Sequence, residues 1–91
     1  IVTDKPDSPH LLADKIRAEL YLGFAETDEY VSDNVIPDLT AALEKHHVEH
    51  VIETHKGCHH GFCFPGRGPL YNEAAAEKVW QIVFDLFNRK L

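Results

Sequence analysis

Two stretches of this chain carry residue types suited to acid–base chemistry. Phe24-Ala25-Glu26-Thr27-Asp28-Glu29-Tyr30 is rich in carboxylates, and His55-Lys56-Gly57-Cys58-His59-His60-Gly61-Phe62 holds three of the chain's seven histidines. Near neutral pH an imidazole can take a proton from a nucleophile and return it to a leaving group. A neighbouring carboxylate fixes its tautomer and stabilises the imidazolium. Each stretch follows a segment that reads as a β-strand, and adjacent parallel strands lie about 4.8 Å apart. Groups in two such C-terminal turns can therefore meet. A carboxylate after one strand and a histidine after the next is the second half of a triad order in which the nucleophile comes first. By type alone, any acid from Glu26 to Asp33 serves equally well as turn chemistry or a helix cap.

The histidine loop offers a second chemistry. Cys58, His59, His60 and Cys63 could supply four zinc ligands. A closed structural site draws paired ligands from two separated knuckles, whereas these four crowd one loop. His46 and His50 have helical spacing, but the helix is expected to end between them. A third reading is a non-catalytic interaction domain that uses Trp80, Phe84 and Phe87 as a partner-binding helix face. The same stripe would equally pack a core.

The elements that must position these residues alternate. Ile16, Ala18, Leu20, Leu22 and Phe24 interleave with Arg17, Glu19, Tyr21 and Gly23, which predicts a strand over 16–24. A turn over 25–30 follows, then a helix capped by Ser32 or Asp33 and running to about Lys45, with Pro37 near its first turn. Val35, Leu39 and Leu43, with Ile36 and Ala42 beside them, form its apolar stripe. The β-branched Val48, Val51, Ile52 and Thr54 predict a second strand over 48–54. Residues 56–71 hold Gly57, Gly61, Pro65, Gly66, Gly68 and Pro69 and read as a loop. Asn72 then caps a helix to about Lys90 with Ala76, Val79, Trp80, Val83, Phe87 and Leu91 as its stripe. A linker over 1–15 followed by strand, helix, strand and helix over 16–91 is an α/β unit with parallel strands.

Two strands cannot cover both faces and both edges of a parallel sheet, and the 91 residues open at Ile1 and include no methionine. Both facts lead us to expect a partial domain belonging to something larger. The formal charge of −6 argues against a nucleic-acid partner. Without an apolar run long enough for a signal peptide or a membrane span, a cytoplasmic location is the expectation. Cys58 and Cys63, five residues apart, are expected to be reduced thiols rather than a disulfide.

Four stretches together resemble the C-terminal third of dienelactone hydrolase family proteins. They are Asp7-Ser8-Pro9-His10-Leu11-Leu12-Ala13, Ala18-Glu19-Leu20-Tyr21-Leu22-Gly23-Phe24-Ala25-Glu26-Thr27-Asp28-Glu29-Tyr30-Val31, His60-Gly61-Phe62-Cys63-Phe64-Pro65-Gly66-Arg67 and Tyr71-Asn72-Glu73-Ala74-Ala75-Ala76-Glu77-Lys78-Val79-Trp80. The resemblance runs along essentially the whole chain in uninterrupted order. It implies an α/β-hydrolase fold, cleavage of small-molecule esters or lactones by a Cys/Ser-His-Asp triad, and no cofactor. Position by position, it implies that Asp28 is the acid and His60 the catalytic histidine. No Gly-x-Cys/Ser-x-Gly elbow occurs in this chain. The nucleophile and most oxyanion donors are thus expected from the remaining, N-terminal part of the hydrolase domain, without which this stretch should be inactive. Arg67 and Phe62 are candidate substrate contacts. An arginine near the histidine clamps a substrate carboxylate in dienelactone-cleaving members, but here Gly61 to Phe64 follow His60 and the arginine comes later.

Overall fold

The computed structural model describes residues 2–91. In order, the elements are a 3-10 helix Pro9–Lys15, strand β1 Leu20–Thr27, helix α1 Val35–Lys45, strand β2 His50–His59, a second 3-10 segment Pro65–Leu70 and helix α2 Glu73–Lys90. The two strands pair in one sheet and run parallel, so the α/β class read from the sequence holds. Their direction is visible at both ends. Leu20 N–H donates to Glu49 O at 3.0 Å where the strands begin, and Asp28 meets His60 beyond their ends.

The chain divides into two compact units, one of Ile1–Leu22 with Val31–Ile52 and one of Gly23–Tyr30 with Glu53–Leu91. In the first, Val35, Leu39 and Leu43 are buried along α1 at steps of four, as its stripe predicts, together with Ala13 and Val48. Neither Ser32 nor Asp33 caps α1. The N-cap is Asn34, whose side chain makes no cap bond and instead donates to Asp38 Oδ2, while Ser32 Oγ donates to Asn34 Oδ1. At the other end His47 takes φ 55°, so that Val48 N–H reaches Leu43 O and His47 N–H reaches Glu44 O. This is a Schellman stop made without glycine. The exit directs the chain into β2.

Within the stretch expected as a linker, Pro9–Lys15 is a 3-10 helix that touches α1. Buried Ser8 anchors its start, accepting from Thr3 N–H at 2.9 Å and lying 2.7 Å from His10 Nδ1. The 16–24 strand is correspondingly displaced to 20–27. Ile16 N–H closes the preceding turn on Ala13 O. Alternation at 16–19 is not enough: a strand begins where a neighbour offers carbonyls, and Glu49 O is the first.

In the second unit β2 extends to His59, five residues beyond its expected end at Thr54. Gly57 lies within this extension at φ 77°, where its N–H donates to Glu26 Oε1 at 2.9 Å. The glycine marks a local irregularity of the strand rather than its end. Asn72 caps α2 as expected, its side chain accepting from Ala75 N–H at 3.0 Å. The stripe of α2 is rotated from the expected one. Ala76 is buried and Val79, Ile82, Val83 and Leu86 are half-buried, whereas Trp80, Phe84, Phe87 and Leu91 are exposed. Trp80 and Phe84 stack on each other with centroids 6.2 Å apart.

Candidate active site

The parallel pairing of β1 and β2 carries both candidate stretches to one end of the sheet. Beyond Thr27 the chain turns, and the Asp28 side chain folds back on its own backbone: Oδ1 accepts the Tyr30 N–H at 2.9 Å. Such a carboxylate-to-backbone turn two residues on is local chemistry that aspartate favours. The other oxygen, Oδ2, lies 2.8 Å from His60 Nδ1. An ionised carboxylate can only accept, so Nδ1 carries the hydrogen, and in the neutral ring Nε2 is left as an acceptor.

The burial of the two partners differs. The Asp28 side chain is 10 % exposed and that of His60 48 %. Burial pushes the Asp28 carboxyl up. The hydrogen bonds from His60 and from the Tyr30 backbone, joined by the charge of His60, outweigh it and hold the carboxyl below its ordinary value. The acid is thus kept ionised, as a group that orients and stabilises an imidazolium must be.

The loop that presents His60 is fixed from several sides. Phe62 N–H donates to His59 O, Phe64 N–H to Gly61 O, and Asn72 N–H to Phe62 O, tying the loop to the start of α2. Phe62 is buried and its ring lies 5.2 Å from that of buried His55. His55 Nε2 is 3.2 Å from Glu53 Oε1, and Lys78 Nζ donates to Glu53 Oε2 at 3.3 Å. Within this chain Phe62 is thus packed against His55 rather than exposed at the loop surface. Arg67 lies along it, its Nη2 donating to His60 O at 3.4 Å. Gly61 has φ 80°, and a Cβ there would meet Arg67 Nε at 2.8 Å.

The cysteines and remaining histidines do not converge on this pair. Among the described residues no group of three or more His, Cys, Asp or Glu is placed to hold a metal ion, so the zinc reading finds no donor set. Both thiols are free. Burial pushes Cys58 up, with Glu26 adding to it, and burial likewise raises Cys63, with Cys58 adding. A thiol in that condition is a poor nucleophile. His50 donates through Nδ1 to Val48 O at 2.7 Å, local support for the start of β2.

Sequence reasoning missed two features. Tyr30 places its ring 4.7 Å from that of His60. The only hint was its position two residues after a turn aspartate. The Glu53–His55–Lys78 set leaves no signal, because Lys78 lies 25 residues from Glu53 and only tertiary structure joins them.

The model of the dienelactone hydrolase family matches residues 3–91. This chain belongs to that family. Its fold class is accordingly that of the α/β-hydrolases. It is 34 % identical over 85 residues to a Synechocystis protein named "Putative carboxymethylenebutenolidase", an alignment covering 93 % of this chain and 34 % of that protein. A protein of the same name from Aquifex aeolicus and "Protein usf" of Aquifex pyrophilus are each 23 % identical over 86 residues, covering 94 % of this chain and 37 % of theirs. This dienelactone hydrolase family chain thus spans about a third of the length of the curated relatives it matches. Among the described residues, no helix is long and apolar enough to cross a membrane.

Proposed function

We propose that this chain is the acid-and-histidine part of a carboxylic ester or lactone hydrolase, with Asp28 and His60 as two members of its triad. The observation that carries the reading is the 2.8 Å hydrogen bond between Asp28 Oδ2 and His60 Nδ1, made across the turns that follow two parallel strands. Family membership and the names of the relatives support the reaction class. Cys or Ser from the rest of the hydrolase domain supplies the nucleophile. His60 Nε2 takes its proton as it attacks the substrate carbonyl and returns that proton to the departing alkoxide. Water then repeats the cycle and frees the acid. Asp28 stays ionised throughout and stabilises the imidazolium.

Arg67 is the residue we assign to an anionic group on the substrate. A guanidinium has five N–H donors in a fixed fork, and the bond to His60 O uses one of them. The remainder of the hydrolase domain is also the partner we assign to the exposed face of Trp80, Phe84 and Phe87. A contiguous apolar face of this kind is normally covered. It is also what favours the second reading, an interaction module without catalysis.

The deciding experiment is His60→Ala in the full-length protein, assayed with a phenyl ester. Turnover should fall by orders of magnitude while circular dichroism is unchanged, because the substitution removes a half-exposed general base and no core packing. Residues 1–91 expressed alone should hydrolyse the ester no faster than free imidazole. Near-normal turnover by a folded His60→Ala enzyme would show that His60 is not the base, whereas absence of ester turnover in the unaltered full-length protein favours the interaction module.

A further inference from the structure

We propose that Tyr30 is a positioning residue for His60, its ring limiting the rotation of an imidazole that Asp28 alone cannot hold; the proposal rests on the triad reading above. A single hydrogen bond fixes one ring nitrogen. The imidazole remains free to swing about the Nδ1···Oδ2 line and carry Nε2 away from a nucleophile. Within this chain the usual second restraint, core packing, is weak, since the His60 side chain is 48 % exposed among these residues. Tyr30 supplies another. Its ring centroid is 4.7 Å from that of His60, with the planes tilted by 55°, within the separation at which aromatic rings attract in tilted arrangements.

The backbone of the same residue makes the placement reproducible. Tyr30 N–H donates to Asp28 Oδ1 at 2.9 Å while Asp28 Oδ2 bonds His60. One carboxylate thereby ties together the residue that carries the aromatic ring and the imidazole beside it. Within this chain Tyr30 is 73 % exposed, so burial among these residues does little to hold the ring. Its ring meets that of His60 instead.

The test uses the full-length protein carrying Tyr30→Leu or Tyr30→Phe, with His60→Ala as the reference. Leucine preserves the backbone bond to Asp28 and removes the ring, and phenylalanine preserves both. We expect Tyr30→Leu to lower kcat roughly tenfold with KM little changed, since one lost aromatic pair is worth about that factor, and Tyr30→Phe to restore kcat. The His60 ring-proton resonances should lose a ring-current shift in Tyr30→Leu and keep it in Tyr30→Phe. A Tyr30→Leu kcat within twofold of the unaltered protein overturns the proposal. So does a rise in KM alone, which would mark a substrate contact, or a Tyr30→Leu protein that does not fold, which would mark a structural residue. If His60→Ala retains activity, the triad reading itself has failed, whatever Tyr30 does.

Discussion

Arg67 lies across Gly61, six residues before it and next to His60 in the chain. Gly61 sits at φ 80°, and a Cβ built on it would stand 2.8 Å from Arg67 Nε and 3.2 Å from both Cγ and Cδ. The arginine can follow the histidine loop because nothing projects from position 61. A side chain there would carry the cost of the left-handed backbone and would also require the exposed Arg67 side chain to shift aside.

Gly61→Ala separates these costs when set beside Gly57→Ala. Gly57 has φ 77° but would meet nothing within 4 Å, so its alanine carries the backbone cost alone, about 1–2 kcal/mol. Urea denaturation of the full-length protein should show Gly61→Ala to be the more destabilised. In an Arg67→Ala background the excess should vanish, since the two residues share one contact. An excess that survives loss of the arginine side chain would show that the contact is not its source.

The lowered Asp28 carboxyl gives a pH dependence of definite sign. A group whose folded value lies below its unfolded one, about 3.9 for aspartate, stabilises the fold above that unfolded value. The contribution is lost as pH falls through the folded value. Carbon-13 NMR of the Asp28 carboxyl should show a midpoint below the ordinary one, rising in a His60→Ala protein that lacks the hydrogen bond. A midpoint at or above the ordinary value, with His60 intact, contradicts the geometry.

Asp28→Asn should abolish the acid's contribution while keeping its size. The amide can still accept from the Tyr30 N–H, so the turn survives, but it no longer offers a negative charge to an imidazolium. A turnover loss of about three to four orders of magnitude is the expectation for a triad acid, read by steady-state ester hydrolysis in the full-length protein. A loss of less than tenfold would mean that another carboxylate serves His60.

Cys58 and Cys63 should react slowly. Both are raised, chiefly by burial, and the thiolate is the reactive form. Labelling by a disulfide reagent at neutral pH should therefore be much slower in the folded protein than in urea, with Cys58, the more buried of the two, the slower. Rapid modification of either thiol with loss of ester turnover would reopen the question of which residue is the nucleophile.

Some of this was present in the sequence by itself. The alternation of strand and helix, the stripe of α1 at Val35, Leu39 and Leu43, and the Asn72 cap are local patterns, set by residues within one or two turns of each other. The pairing of an acid after one strand with a histidine after the next followed from strand direction, and family likeness narrowed the choice to Asp28 and His60. Tertiary structure decided what depends on residues far apart in sequence. β1 begins at Leu20 rather than Ile16 because Glu49 O provides its first partner. β2 runs on to His59, through Gly57, whose N–H meets Glu26 of the other strand. The exposed turn of Trp80 and Phe87 on α2 shows the limit most clearly. Helical spacing puts residues on a common face but does not state which face a neighbour covers, since that depends on the surface against which the helix packs.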